Sequence, residues 1–476
     1  MIPNVSMRGA LSDRNLLGSI LEGESWHAWR VLLIAAMGEP LLEDERQTFT
    51  MLTGRAQEPG ERVEELAAVV GRRGGKSRAV ATLASYLGGL CDHSRDLAPG
   101  EKGVVLCIAP DQRQSRIVLD YSEACFEASA VMRGQIAHRN SECLELSSGI
   151  SIEVRSASFR RLRGLTLVAA IADEAAFWHS GDDSANADTE ILGAVRPGLA
   201  TTGGPLVIAS SPYAKRGELW SVFRKHYGPN GDPRILVAQA PSRVLNPRLP
   251  QTVVDRALER DRDSARAEYL AQFRADIESY IAVEIVEKCV DLEVYERPPL
   301  RGVRYVGFVD PSGGSVDSFT MAIAHRDGER VVVDVTRERR PPFSPEGVVA
   351  EFGETLKAYG VSRVRGDRYA GEWPREAFRK RGIVYEPATA PKSDLYRDLL
   401  PMLNGATIAL LDNARLVNQI AGLERRVSRA GKDSIDHSPG GHDDVANAVA
   451  GVAWVASGHG APQGSAGSKI QTAGWY

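Results

Sequence analysis

The chain has 476 residues, 43% of them hydrophobic and 25% charged, with a formal net charge of −4. That length exceeds a single ordinary core and predicts two domains, and the composition is that of an ordinary globular protein. The near-neutral balance excludes a globally basic nucleic-acid binder, so any DNA contact has to come from local patches. The five cysteines (Cys91, Cys107, Cys125, Cys143 and Cys289) are scattered in apolar contexts without metal-site spacing. They read as reduced core residues of a cytosolic protein. There is no signal-peptide pattern, and no apolar run approaches the roughly 18 residues of a membrane span.

Residues 1–60 read as a mixed helical segment, with Trp26 and Trp29 ahead of the apolar stretch Val31–Met37. The run Leu66–Val70 then leads straight into Gly71-Arg72-Arg73-Gly74-Gly75-Lys76-Ser77. A strand entering a glycine-rich turn that ends in Lys-Ser builds a phosphate cradle. Backbone N–H groups face an anion, Lys76 reaches the outer phosphates, and the Ser77 hydroxyl can ligate Mg²⁺. The loop is one residue shorter than the usual pattern. A basic turn capping a helix is the plainer reading of the same residues.

Further along, Leu165–Ala172 reads as a buried strand delivering Asp173 and Glu174 at its end. Asp173 is expected to hold Mg²⁺, directly or through water, and Glu174 to polarise an attacking water, the two tasks of ATP hydrolysis. Acidic residues in a first helical turn are the ordinary alternative. Val104–Ala109, Ser151–Arg155 and Pro205–Ala209 also read as strands. Strands alternating with helices predict a doubly wound, mostly parallel sheet over 61–249, with ligand groups at the strands' carboxyl ends. Gly71–Ser77, Asp173-Glu174 and Ser210-Ser211 all fall there.

Residues 250–298 are charged and helix-like, and predict a helical linker or subdomain. A second strand-rich block, 299–457, opens with Tyr305–Val309, Phe319–Ala324 and Arg330–Val335. Short turns between them predict an antiparallel meander. Asp310 ends the first of these strands, Asp367 ends a later strand-like run, and Asp443 and Asp444 open an Ala/Val-rich helix. Such acids suit a phosphodiester-cutting site in which two divalent ions, about 4 Å apart, neutralise converging carboxylates. Each also has a plainer role: Asp310 in a turn, Asp367 in a loop, Asp443 or Asp444 as a helix cap. Spacing does not decide between the last two, because neighbours on a helix point about 100° apart. From 458 onward the Gly/Ser/Ala-rich composition predicts a flexible tail.

With these motifs together, the chain resembles the large terminase subunit of tailed bacteriophages, over about residues 25–457. The residues that carry the likeness are Gly71–Ser77, Ile171-Ala-Asp-Glu174, Ala209-Ser-Ser-Pro212 and Asp433–Asp444; the shortened loop is ordinary variation in that family. The resemblance implies a P-loop-type ATPase domain followed by an RNase H-like nuclease domain. It implies ATP and Mg²⁺ at Gly71–Ser77, Asp173 and Ser210, with Ser210 in a motif coupling hydrolysis to movement. Asp310, Asp367 and Asp443 or Asp444 would hold Mg²⁺ or Mn²⁺ for DNA cutting, with Asp436 and His442 nearby. An arginine is required at the γ-phosphate. Arg163 is the favoured residue, and Arg72, Arg73, Arg160 and Arg161 remain open. Trp29, Arg30 and Gln47 are adenine-pocket candidates, although helical core packing is the commoner role of a tryptophan.

The implied partners are double-stranded DNA, a small terminase subunit, and a portal on the procapsid where the chain would form a homo-oligomeric ring. The implied location is the host cytoplasm, with no membrane. Sequence-blind DNA contact points to Arg337–Arg340, Arg365–Arg368 and Arg425–Arg429. Two other readings stay open: a helicase-like translocase without nuclease activity, and an ATP-binding assembly protein whose acids are structural.

Overall fold

The computed structural model describes residues 1–157, 164–178, 187–315, 317–367, 373–427, 433–439 and 441–458. The chain divides into two compact units at Glu278/Ser279.

The first unit is built on an eight-stranded sheet. Its strands are β1 (Glu65–Val70), β2 (Gly103–Ala109), β3 (Ile136–Arg139), β4 (Cys143–Leu146), β5 (Ile150–Ser156), β6 (Thr166–Asp173), β7 (Leu206–Ser210) and β8 (Ile235–Ala240). They lie in the order β8-β1-β7-β6-β2-β5-β4-β3. Pairing is parallel from β8 through β5 and antiparallel at β5-β4-β3. The central parallel strands β1, β2, β6 and β7 are near-continuous apolar runs because both sheet faces are covered; β2 and β7 are buried throughout. The helix Lys76–Gly89 is likewise buried along most of its length, so it carries no polar face to mark it in the sequence. By contrast, the Gln112–Ala128 helix is amphipathic and is capped by Asp111, whose carboxylate accepts from the amide of Gln114.

Two features differ from the sequence expectation. The antiparallel edge, β3 and β4, has no counterpart among the expected strands: Ile136–Arg139 is largely exposed and shows no alternation, and Cys143–Leu146 spans only four residues. The segment 250–298 is not one linker. Gln251–Arg260 and Arg262–Leu270 belong to the first unit, and Asp261 both ends one helix and caps the next. Beyond Ser279, Val290–Asp291 pairs with a strand of the second unit.

The second unit carries a seven-stranded sheet. After the edge pair Val290–Asp291 come β9 (Tyr305–Asp310), β10 (Phe319–Asp327), β11 (Arg330–Arg339), β12 (Arg363–Gly366), β13 (Val384–Pro387) and β14 (Ile408–Leu411). The spatial order is Val290–Asp291, β14, β11, β10, β9, β12, β13. β9, β10 and β11 form the expected antiparallel meander, while β12 joins β9 in parallel. The helix Asp444–Ala456 is buried along nearly its whole length. It approaches β9 so closely that a Cβ on Gly451 would stand 2.4 Å from the Phe308 ring. The fold is thus α/β in both units, a mostly parallel sheet and then a mixed one. No helix among the described residues is long and apolar enough to cross a membrane.

Candidate active sites

In the first unit the sheet order brings the sequence motifs together. β7 lies between β1 and β6, in register Val69–Ser210 and Asp173–Ala209. The loop after β1, the acids after β6 and the serines after β7 therefore share one edge, where an open parallel sheet places its ligand groups.

The loop 71–75 is held from several sides. Ser242 Oγ donates to the Arg72 carbonyl at 2.7 Å and Asn246 Nδ2 to the Arg73 carbonyl at 3.0 Å. Trp29 is buried and donates from its indole to the Gly74 carbonyl at 2.7 Å. This is the core-packing role, and Arg30 is likewise occupied with the carbonyls of Leu21 and Gly23. Gln47 is exposed. Gly75 has φ +83°, and a Cβ there would meet the Trp26 ring at 2.8 Å. Only glycine fits that combination of backbone and space.

Lys76 is buried. Its Nζ lies 3.1 Å from Glu174 Oε1, donates to Ser211 Oγ at 2.9 Å and approaches the Val70 carbonyl at 3.4 Å. The Ser77 hydroxyl donates to Asp173 Oδ2 at 3.1 Å. The other Asp173 oxygen, Oδ1, is buried without a hydrogen-bond partner among the described residues. Burial, reinforced by the Glu174 charge, pushes the Asp173 carboxyl up to about 6. A hydroxyl and an uncommitted carboxylate oxygen form a hard-oxygen pair that fits Mg²⁺.

Glu174 sits at φ +52°, left-handed backbone that costs a non-glycine residue of order 1–3 kcal/mol. That turn aims its carboxylate back at the β7 end. Oε2 accepts from the Ser211 amide at 3.1 Å and lies 3.4 Å from the Ser210 hydroxyl. Ser210 is fully buried and also accepts from the Ala176 amide at 3.2 Å. Arg72 is ion-paired to Glu268 at 3.0 Å, and Arg73 is exposed with φ +65°. Arg160, Arg161 and Arg163 lie outside the described residues.

In the second unit, β9 and β12 run parallel in register Val309–Gly366, so Asp310 and Asp367 emerge side by side. The Asp367 amide donates to the Val309 carbonyl at 3.3 Å. Asn447, one turn into the Asp444–Ala456 helix, donates from Nδ2 to Asp310 Oδ2 at 2.7 Å. Burial pushes Asp310 up to about 8; the Asn447 bond opposes this, and the charges of Asp367, Asp444 and Asp443 add to it. Burial and the Asp443 charge likewise push Asp444 up to about 6. Asp444 Oδ2 and Asn447 Oδ1 are both buried without a partner among the described residues. These all-oxygen groups fit Mg²⁺ or Mn²⁺.

The helix-cap role for the acid pair is not the one the structure displays. Asp443 makes no side-chain cap bond. Gln419 accepts from the amides of Val445 and Ala446 instead, at 2.9 and 3.0 Å. Asp443 itself is buried and bound by Lys392 Nζ at 2.7 Å and the Tyr396 hydroxyl at 2.7 Å. Lys392 also reaches Asp436 at 3.0 Å. His442 is exposed.

Asn447, Gln419, Lys392 and Tyr396 were not singled out by the sequence. Asn447 had a readable signal, its position three residues after Asp444 on the same helix face; the other three come from distant segments. The basic clusters are ion-paired in part: Arg337 to Glu296 at 2.8 Å, Arg340 to Glu338 at 3.5 Å, Arg425 to Asp433 at 2.8 Å and Arg426 to Glu424 at 3.7 Å. Arg365 lies over the Trp454 ring at 5.5 Å. Arg368 and Arg429 lie outside the described residues.

The chain is similar to phage large terminases over most of its length. The large terminase of bacteriophage HK97 matches at 14% identity, over 90% of this chain and 99% of its own, with a TM-score of 0.36. A large terminase from a thermophilic bacteriophage, in complex with ADP, matches at 12% identity over 82% of this chain and 92% of its own, with a TM-score of 0.36. The large terminase nuclease of the thermophilic phage G20c, with bound magnesium, matches at 16% identity over 36% of this chain and 95% of its own, with a TM-score of 0.32. No protein-family model and no curated protein matches the chain.

Proposed function

We propose that this chain is an ATP-driven motor that moves double-stranded viral DNA into a procapsid and cuts it, with Mg²⁺ or Mn²⁺, when packaging starts and ends. The observation that carries this reading is the pairing of two oxygen-rich sites in one chain. One has a lysine, a hydroxyl and two acids around a glycine loop; the other has converging aspartates.

At the first site, Mg²⁺ supplies charge neutralisation along the phosphate chain of ATP. Ser77 and Asp173 would hold it, the one through its hydroxyl and the other through its carboxylate. Lys76 is shared between Glu174 and Ser211. A γ-phosphate draws the ammonium toward itself and releases Glu174 to orient water and accept its proton. Glu174 is tied to the Ser211 amide, so its release loosens the end of β7, and hydrolysis is thereby linked to backbone movement. An arginine, with Arg163 the sequence candidate, completes the charge on the transferred group.

At the second site, Asp310, Asp367 and Asp444 would hold divalent ions, which would supply charge stabilisation to the attacking and leaving oxygens of a phosphodiester. Asn447 fixes the orientation of Asp310. DNA is gripped by phosphate contacts that ignore sequence. A portal ring of identical copies and a small terminase subunit complete the assembly.

The test is direct. Purified protein should hydrolyse ATP with Mg²⁺ and linearise plasmid DNA with Mn²⁺. A protein that hydrolyses ATP but never cuts under either metal is a translocase without nuclease activity.

A further inference from the structure

Asp443 and Asp444 are adjacent, yet their surroundings differ. Both oxygens of Asp443 are committed. Lys392 Nζ lies 2.9 Å from Oδ1 and 2.7 Å from Oδ2, and the Tyr396 hydroxyl donates to Oδ2 at 2.7 Å. Asp444 keeps one buried oxygen without a partner among the described residues. The same ammonium ion lies 3.0 Å from Asp436 Oδ1. Asp436, His437 and Asp443 offer one ligand atom each, all within 4.8 Å of one another, a spacing that would suit a metal ion. Lys392 Nζ therefore stands against two of three donors where a divalent cation would otherwise fit. Burial works against its charge, but Asp443 and Asp436 raise its pKa above the usual lysine value.

We propose that Lys392 is a positioning residue of the acidic site: a tethered cation that saturates Asp443 and Asp436 and confines divalent ions to Asp310, Asp367 and Asp444. This rests on the reading of those aspartates as the metal-dependent cutting site. The physical reason is competition. An ammonium on a side chain is present at very high effective concentration, whereas a free ion has to displace it and leave a buried charge unpaired. Tyr396 fixes the geometry and cannot substitute for the charge, because a hydroxyl is neutral.

The experiment counts Mn²⁺ bound per full-length chain by titration calorimetry and by electron paramagnetic resonance of the free ion. Lys392→Met should bind one more ion than wild type, and Lys392→Arg should not. The added ion should vanish in Lys392→Met/Asp436→Asn. An unchanged count in Lys392→Met, or an added ion that survives Asp436→Asn, overturns the proposal. Should circular dichroism show Lys392→Met unfolded, Lys392→Gln, which keeps hydrogen bonding without charge, carries the same count. Asp310→Asn in the wild-type background separates the two readings. If it leaves Mn²⁺ binding unchanged, the acidic-site assignment fails, while the Lys392 difference is still scored on its own.

Discussion

Lys76 Nζ and Glu174 Oε1 stand 3.1 Å apart, joining the helix after β1 to the turn after β6. The lysine expected to bind phosphate and the acid expected to activate water therefore hold each other. Neither is free to change without affecting its partner.

That coupling separates two variants. Glu174→Gln keeps the shape and the Ser211 amide contact but removes the base, so ATP hydrolysis should fall about 100-fold or more while nucleotide binding persists. Lys76→Ala should lose nucleotide binding as well. Fluorescent-ADP titration beside a phosphate-release assay checks both. Equal loss of binding in the two variants would contradict the assignment.

Gly75→Ala faces two obstacles, a φ of +83° and the Trp26 ring 2.8 Å from the new Cβ. The backbone strain alone costs about 1–3 kcal/mol. Trp26→Ala in the same chain should relieve the clash and leave the strain. The expected order of thermal stabilisation by ADP is wild type, then the double variant, then Gly75→Ala.

Gly451→Ala drives a methyl group into the Phe308 ring. Overpacking of this kind costs about 1–3 kcal/mol. Urea denaturation should show the loss, and Phe308→Leu should restore part of it if the ring is the cause. A Gly451→Ala chain as stable as wild type would mean that the helix and β9 sit further apart than described.

Arg46 binds Glu58 through Nε at 3.1 Å and Nη2 at 3.0 Å. Those bonds hold the Glu58 carboxyl down to about 2. A depressed carboxyl adds stability that is complete above its unfolded pKa of about 4.3 and is lost as pH falls toward 2. Glu58→Gln should therefore melt below wild type at pH 6, with the gap closing as pH is lowered to 3. A gap independent of pH would show that packing, not charge, is lost.

The strand-end positions of the glycine loop and of the acids after β6 were legible because each is a short local pattern: an apolar run, then glycines or carboxylates. Asp310 and Asp367 were legible for the same reason, at strand ends. Sheet order was not, since nothing local says that β7 lies between β1 and β6. The pairing of Lys76 with Ser211 depends on that order. The choice between Asp443 and Asp444 also lay beyond local pattern, because the residues that distinguish them, Lys392, Tyr396 and Gln419, come from other helices. The β3–β4 edge escaped because β3 is exposed and carries little apolar signal, while β4 is only four residues long. The 250–298 segment misled because charge interleaving marks a solvated helix without telling which unit it packs on.

The central claim is that one chain carries two separate active sites. Its most direct test measures ATP hydrolysis and metal-dependent plasmid cleavage in wild type, Lys76→Ala and Asp310→Ala. Lys76→Ala should lose hydrolysis and still cut with Mn²⁺, while Asp310→Ala should lose cutting and still hydrolyse ATP. Cutting that survives Asp310→Ala, or hydrolysis that survives Lys76→Ala, would contradict it.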